Sequence, residues 1–368
     1  MLVYFCNMID VNNSRYFPPK TFLSAYNAMN LDLKLEELGR SEEERPIYGL
    51  TLGTGNKKVL AWSQMHGNET TTTKALLDLL HHLETSAEGK LIKEGVCFRI
   101  IFQLNPDGAH RYTRLNANQV DLNRDAVAQT QQETKVLMQE FTSFAPDFCL
   151  NLHGQRTIFA AGMTTKPAAL SFLAPSANAE RSITPTRKIA MQLIAALIEP
   201  LVVSNEWGIG RYDDGFNINC VGDYFTAMDV PTLLYEAGHF PGDYNRSETR
   251  RLIFESLINV LKSIVNESYK LFSNEAYFGI PENSNHLRDL EFKNVTIVNN
   301  QKVTKSSLFV QYTEYLKDGQ VRFFPEYVGN QPDWSGLRQI DLAENSTIMP
   351  IDINDSSEKI MESLISLM

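Results

Sequence analysis

His66 and Glu69 stand three residues apart, after the apolar run VLAWSQM and before a stretch of helical periodicity. Residues three apart in a helical turn point the same way, so an imidazole nitrogen and a carboxylate can reach one metal ion. The spacing alone is weak evidence, because a chain with seven histidines and 44 acidic residues readily produces H-x-x-E by chance. His81-His82-Leu83-Glu84 repeats it late in an amphipathic stretch, where a solvated polar face is the better explanation. His153 repeats the placement of His66 at the end of the apolar run FCLNL. Glu236 ends a further apolar run in PTLLYEAGHF, a costly place for a carboxylate unless it is paired or used. Residues 105–125, NPDGAHRYTRLNANQVDLNRD, gather Arg111, Arg114 and Arg124 with several amides in an irregular loop. Guanidinium groups converging there suit a carboxylate or a developing oxyanion, whereas scattered surface charge is the bland alternative.

The elements that carry these residues follow from periodicity. Strands are expected at Lys58–Met65, Val96–Asn105, Phe148–Leu152 and Thr232–Glu236, alternating with helices. Ala75, Leu76, Leu79, Leu80 and Leu83 mark a helix over Thr70–Leu83, and Val136, Leu137, Phe141 and Phe144 mark one over Glu133–Phe144. Thr184-Pro185 reads as a cap with proline at the first helical position, and Ser247 to Leu271 supplies a fourth helix. The alternation implies an α/β sheet with helices on both faces. All four candidate elements then sit at strand ends, where the sites of such sheets gather. Beyond Pro281, FKNVTIV, SLFVQYT and VRFFPEYV are β-type runs divided by turn residues, so a small β-rich appendix is expected there, with a closing helix from Ser356. The division expected is an extension over 1–47, a catalytic domain over 48–280 and a β-rich region over 281–368.

Composition narrows the function classes. The 368 residues are 43% hydrophobic and 21% charged, with a formal net charge of −10, which fits a globular chain and disfavours a non-specific grip on nucleic acid or anionic lipid. Four cysteines, Cys6, Cys97, Cys149 and Cys220, lack any C-x-x-C spacing and read as free thiols in a reducing compartment. MLVYFCNMIDVNN has no basic start and is broken by Asn7 and Asp10, so no signal peptide is expected and the location is taken as cytoplasmic. The apolar stretch Ile189–Val203 is interrupted by Gln192, Glu199 and Pro200, and falls short of the about 18 residues of a membrane span.

His66-x-x-Glu69, the Asn105-Pro106-Asp107-Gly108 turn, Arg114, the run Val120 to Arg124, Leu152-His153-Gly154 and Tyr235-Glu236 together resemble the ordered motif set of the zinc metallocarboxypeptidase family, across roughly Tyr48 to Tyr269. The resemblance implies a mixed eight-stranded sheet flanked by helices, of the phosphorylase/hydrolase-like type. It implies one Zn²⁺ per chain held by His66, Glu69 and His153, with a fourth position open to water. Glu236 would be the general base, Arg114 the group that stabilises the oxyanion, and Asn123 with Arg124 the clamp on the substrate's terminal carboxylate. Asp121 would hold a ligand imidazole in its tautomer. The substrate implied is a peptide, or an amino-acid-derived molecule, with a free carboxylate.

Three features depart from the family's pattern or stay unplaced. Asp125 follows the clamp where many members have Asn, adding a charge that weakens or redirects carboxylate binding if it points there. Either Tyr212 or Tyr224 would be the family's mobile tyrosine. Asp213, Asp214 and Asp223 would suit an amine-bearing substrate if they lined the pocket, although loop acids are usually just solvated. About 47 residues precede the first core strand expected, so no inhibitory pro-segment of family type is anticipated. Two competing functions are a zinc deacylase of N-acyl amino acids, of the succinylglutamate desuccinylase and aspartoacylase type, and a catalytically inactive zinc-bearing binding protein. The NPDG segment and Val120-Asp121 favour the peptidase over the first. Intact Glu236 and Arg114 argue against the second.

Overall fold

The computed structural model describes residues 14–201, 203–342 and 350–366. Cys6 and the opening segment discussed above lie outside them. Eight strands form the central sheet: Glu36–Arg40 (β1), Pro46–Leu52 (β2), Lys57–Ser63 (β3), Val96–Phe102 (β4), Phe148–Gly154 (β5), Ala168–Leu173 (β6), Gly208–Arg211 (β7) and Thr232–Ala237 (β8). Their order is β1-β2-β4-β3-β5-β8-β6-β7. The central four, β4, β3, β5 and β8, are mutually parallel, and antiparallel pairs lie outside them. The sheet is therefore mixed, with its parallel centre ending on one side.

Alternation along the central strands puts a core on each face. Val59 and Ala61 of β3 join the cluster that includes Leu76, Leu80, Leu193 and Leu257. Leu60 and Trp62, between and beyond them, join the one that includes Leu137, Phe141 and Phe225. Helices Thr71–Thr85, Pro185–Ile198 and Ser247–Asn266 cover the first face, and Gln132–Phe144 and Val221–Ala227 cover the second.

Two expected strands end early for a shared reason. β3 stops at Ser63 and β4 at Phe102, because Gln64 and Gln103 each take a positive φ, 48° and 44°. Beyond these kinks the two loops run together, Leu104 N donating to Ser63 O and Asn105 N to Gln64 O, both at 3.0 Å. The Asn105-Pro106-Asp107-Gly108 segment, expected as a turn, opens a short helix, Pro106–Arg111, capped by Asn105. The helix in the apolar stretch from Ile189 closes at Ile198, two residues before Pro200.

The strands expected from the sequence pattern correspond to β3, β4, β5 and β8, and β1, β2, β6 and β7 are not among them. β1 is EELGR on the sheet edge, too polar to show alternation, and β7 is GIGR, four residues with two glycines. Residues before 48 contribute to the main body: Phe22, on the helix Pro19–Ala28, packs on Phe102 at 5.1 Å between ring centroids. Asp107, fully buried, accepts from Ser41 Oγ at 2.8 Å and Arg45 Nη1 at 2.6 Å, tying the β1–β2 hairpin to the loop after β4.

Past residue 281 the β-type runs become Leu287–Asn299 (β9), Lys302–Lys317 (β10), Gln320–Gly329 (β11) and Ser335–Asp341 (β12) in a second sheet. Its order is β11-β10-β9-β12, and Ile351–Asp352 adds a short pairing to β9. This sheet has its own core, closed by Ile360, Met361 and Leu364 of the helix Ser357–Ile365. Among the described residues, no helix is long and apolar enough to cross a membrane, and Cys97, Cys149 and Cys220 are free thiols.

One buried ion pair staples the helices behind the sheet. Arg250 donates to both carboxylate oxygens of Asp78 at 2.6 Å, joining Ser247–Asn266 to Thr71–Thr85. Removing one partner leaves a desolvated charge. Asp78→Ala is therefore expected to cost about 3–5 kcal/mol, read as a lowered midpoint in denaturant unfolding. The double variant Asp78→Leu, Arg250→Met is expected to recover much of the loss, and a double variant no better than the single one would refute this assignment.

Candidate active site

The parallel strands deliver three electron-pair donors to one point. His66 lies three residues past β3, Glu69 in the turn before the Thr71–Thr85 helix, and His153 near the end of β5. His66 Nδ1 is 2.9 Å from Glu69 Oε1 and 3.1 Å from His153 Nδ1, which is 3.0 Å from Glu69 Oε2. The close approach depends on Gly67. A Cβ there would meet the Gly108 carbonyl carbon at 2.0 Å, so only glycine lets this loop lie against the helix that Asn105 caps. Asn105 Nδ2 also bonds the Met65 carbonyl at 3.2 Å, fixing the backbone just before His66.

Asp121 decides the tautomer. Its Oδ1 lies 3.0 Å from His66 Nε2, which keeps a proton on Nε2, so that Nδ1, beside Glu69 and His153, is the nitrogen that would ligate a metal once its own proton is displaced. Asp121 is itself held by Asn123 N at 2.9 Å and Arg114 Nη2 at 3.0 Å. Burial alone would lower the His66 pKa, but Glu69 and Asp121 on either side hold it up at about 9. His153, fully buried, is pushed down by that burial.

Two imidazole nitrogens and a carboxylate this close need a positive centre among them: a protonated His66, which Glu69 and Asp121 favour, supplies it as an Nδ1–H donor to Glu69, and a metal ion in place of that proton would engage all three groups at once. A tetrahedral zinc with ligand bonds of about 2.0–2.1 Å would hold its donors roughly 3.4 Å apart, a small expansion of the arrangement found. His66, Glu69 and His153 are the metal-capable cluster among the described residues, and as three ligands of a four-coordinate ion they leave one position open. The His81–Glu84 repeat takes no part: His82 faces Glu88 at 3.3 Å and Phe254.

Glu236 sits opposite His153 in the β5–β8 register. It is 9% exposed and its Oε2 has no hydrogen-bond partner. Burial first, and the Glu69 charge second, push its carboxyl well above the usual range. Arg114 is half exposed, with Nη1 3.6 Å from Glu69 Oε1. Asn123 Oδ1 accepts from Val221 N at 3.0 Å, which leaves its Nδ2 as the end available to a ligand. Arg124 donates to its neighbour's carbonyl, Asn123 O, at 2.8 Å and lies against the Cys220 thiol.

Other candidates are spent elsewhere. Arg111 pairs with Glu43 at the surface and does not converge with Arg114 and Arg124. Asp125 caps its own loop through Thr130 and Gln131, at 2.7–3.0 Å, so its charge is turned away from Asn123–Arg124. Asp214 is paired with Arg187 at 2.6 Å, and Asp213 accepts from Gly215 N. Asp223 is buried, which pushes it up to about 7. Tyr212 packs on Phe159 and lies in the field of Glu236 and Glu69, whereas Tyr224 packs beside Phe225 in the second core.

A cavity of about 340 Å³ opens beside the cluster. Its walls include Glu69, Arg114, Gln155 and Arg246 from the main body, and Asp289, Gln311 and Glu314 from β9 and β10. The second sheet thus forms part of the site, a role not evident in the sequence because the contact is long-range and carried by isolated polar residues.

Residues 20–199 match the family model described as zinc carboxypeptidase. A probable carboxypeptidase 2 of Arthroderma benhamiae is 31% identical over 140 residues, which are 35% of this chain and 26% of that protein. Carboxypeptidase 2 of Trichophyton rubrum is 29% identical over 116 residues, 30% of this chain and 21% of that one. The match thus spans only about a quarter of the length of these fungal relatives. Among solved structures, a metallo-carboxypeptidase from Burkholderia cenocepacia superposes with a TM-score of 0.53 at 21% identity, covering 67% of this chain and 68% of that one. Thrombin activatable fibrinolysis inhibitor gives 0.54 at 12%, covering 68% and 75%. These likenesses establish a carboxypeptidase fold.

Asp121→Asn removes the carboxylate charge that holds the His66 Nε2 proton while keeping the shape. Zinc affinity, measured by competition with a chromophoric chelator, is expected to fall about 10–100-fold. Unchanged affinity would show that Asp121 does not orient His66.

Proposed function

We propose that this chain, which belongs to the zinc carboxypeptidase family through its residues 20–199, is a zinc-dependent metallopeptidase that releases a residue from the carboxyl end of a peptide. The observation that carries this is the convergence of His66 Nδ1, Glu69 and His153 Nδ1 beside Glu236. Zinc bound there supplies Lewis acidity that polarises a carbonyl and acidifies a water.

The chain's own residues do the rest. Glu236 lies at the end of β8, its unpartnered Oε2 buried, and an environment that raises its proton affinity suits a group that takes a proton from the attacking water and returns it to the leaving amine. Arg114, held by Asp121 at 3.0 Å and close to Glu69, faces the developing oxyanion. A preorganised charge of this kind contributes about 3–4 kcal/mol to the barrier. Arg124 and the Asn123 amide receive the terminal carboxylate. Tyr212, by its field contacts with Glu236 and Glu69, is the tyrosine that covers the substrate, and Tyr224 is not.

A second reading, deacylation of N-acyl amino acids, is favoured by one observation: β9 and β10 wall the cavity beside the metal cluster, as suits a small substrate. Both reactions use the same machinery, so substrate decides between them.

The test is to load wild type and Glu236→Gln with zinc, measure metal per chain, and assay both on a panel of peptides with free carboxyl termini and on N-acyl amino acids. One zinc in each, with residue release by wild type and a loss of about 10³-fold or more in the variant, is expected. Release from N-acyl amino acids alone would replace the peptidase with the deacylase. Full activity in Glu236→Gln would remove the general base.

A further inference from the structure

Arg246 is 3% exposed, and among the described residues it has no carboxylate within ion-pair distance. It precedes the Ser247–Asn266 helix and donates Nη1 to Ala237 O at 3.0 Å and Nη2 to Gln155 O at 2.9 Å. Its Nε has no hydrogen-bond partner. A guanidinium whose direct partners are only neutral carbonyls is costly to bury, the more distant charges of Glu314 and Asp243 offset that only in part, and an anion in contact would complete it.

The cavity that Arg246 lines contains four arginines, Arg15, Arg114, Arg156 and Arg246, against Glu69, Asp289 and Glu314. The three carboxylates are already committed. Glu69 belongs to the metal cluster. Glu314 is taken by Arg15 at 3.0 Å and by Tyr112. Asp289 is surrounded by neutral donors, Tyr244 Oη and Tyr312 N both at 2.7 Å among them. The excess charge is therefore positive, and Arg246 is its buried part. Asn123 and Arg124 are not among the lining residues, so the cavity serves the part of a substrate on the other side of the scissile bond. At about 340 Å³ it lies at the small end of the ligand-pocket range of about 300–1,000 Å³, and the β10 residues Gln311 to Glu314 wall it.

We propose that this cavity is a subsite for an acidic residue immediately before the scissile bond, its side-chain carboxylate bound by Arg246. The assignment of side rests on the peptidase proposal above. The anion requirement rests on Arg246 alone.

The test uses isosteric pairs that differ in charge. Calorimetry on the zinc-loaded protein compares N-acetylglutamate with N-acetylglutamine, and kinetics compares N-acetyl-Glu-Xaa with N-acetyl-Gln-Xaa, Xaa being the residue the panel selects. The glutamate member of each pair is expected to be favoured about tenfold or more. Arg246→Gln is expected to abolish the preference. Because Arg246 also ties two strand ends together, Thr313→Glu is a second variant: it adds a carboxylate to the exposed cavity wall and should bring the ratio below about threefold. Equal binding of the two probes by wild type would overturn the proposal. A tenfold binding preference with neither peptide cleaved would keep the acidic subsite and overturn the peptidase proposal instead.

Discussion

Three metal-capable groups held within about 3 Å of one another form the interaction on which the rest of this structure depends. His66 Nδ1, Glu69 and His153 Nδ1 meet at 2.9–3.1 Å, an arrangement held by imidazole protons on Glu69 or by a metal ion that takes their place. The fold must supply that convergence from segments far apart in sequence. It does so by ending parallel strands at one edge and stopping β3 and β4 with paired kinks at Gln64 and Gln103. Asn105 then holds the resulting loops together. Asp121 adds the electrostatic part, fixing a proton on one imidazole nitrogen so that the opposite one is left to exchange its proton for a metal.

Much of this was legible in the chain because the chemistry sits where periodicity changes. His153 and Glu236 end apolar strands, and His66 lies just beyond another, so the hydrophobic pattern that marks the strands also marks the site. What escaped notice lacked periodicity. β1 is a polar edge strand and β7 a glycine-containing fragment of four residues, and neither carries an alternating signal. The Asn105–Gly108 segment read as a turn and proved to be a helix start, because its Pro and Asn serve both structures equally well.

Charge was harder to place than fold. Arg111 and Arg114 are three residues apart, yet one pairs with Glu43 at the surface and the other with Asp121 at the site. Asp125 looked like a disturbance to the neighbouring clamp and instead caps its own loop. Arg246 drew no attention at all, since a lone arginine in a polar loop has no sequence signature. Its significance arises only from burial and from the second sheet folding over the cavity. Long-range polar contacts, such as Arg15 with Glu314, set the shape of that cavity and have no local pattern to announce them.

The central claim is an open, three-ligand metal centre at the strand ends, and anomalous diffraction at the zinc edge from crystals of the zinc-loaded protein tests it most directly. The expected result is one strong peak bounded by His66 Nδ1, a Glu69 oxygen and His153 Nδ1, with a non-protein atom in the fourth position. A peak closed by a fourth protein ligand, or one centred elsewhere, such as at His81 and His82, would contradict the account.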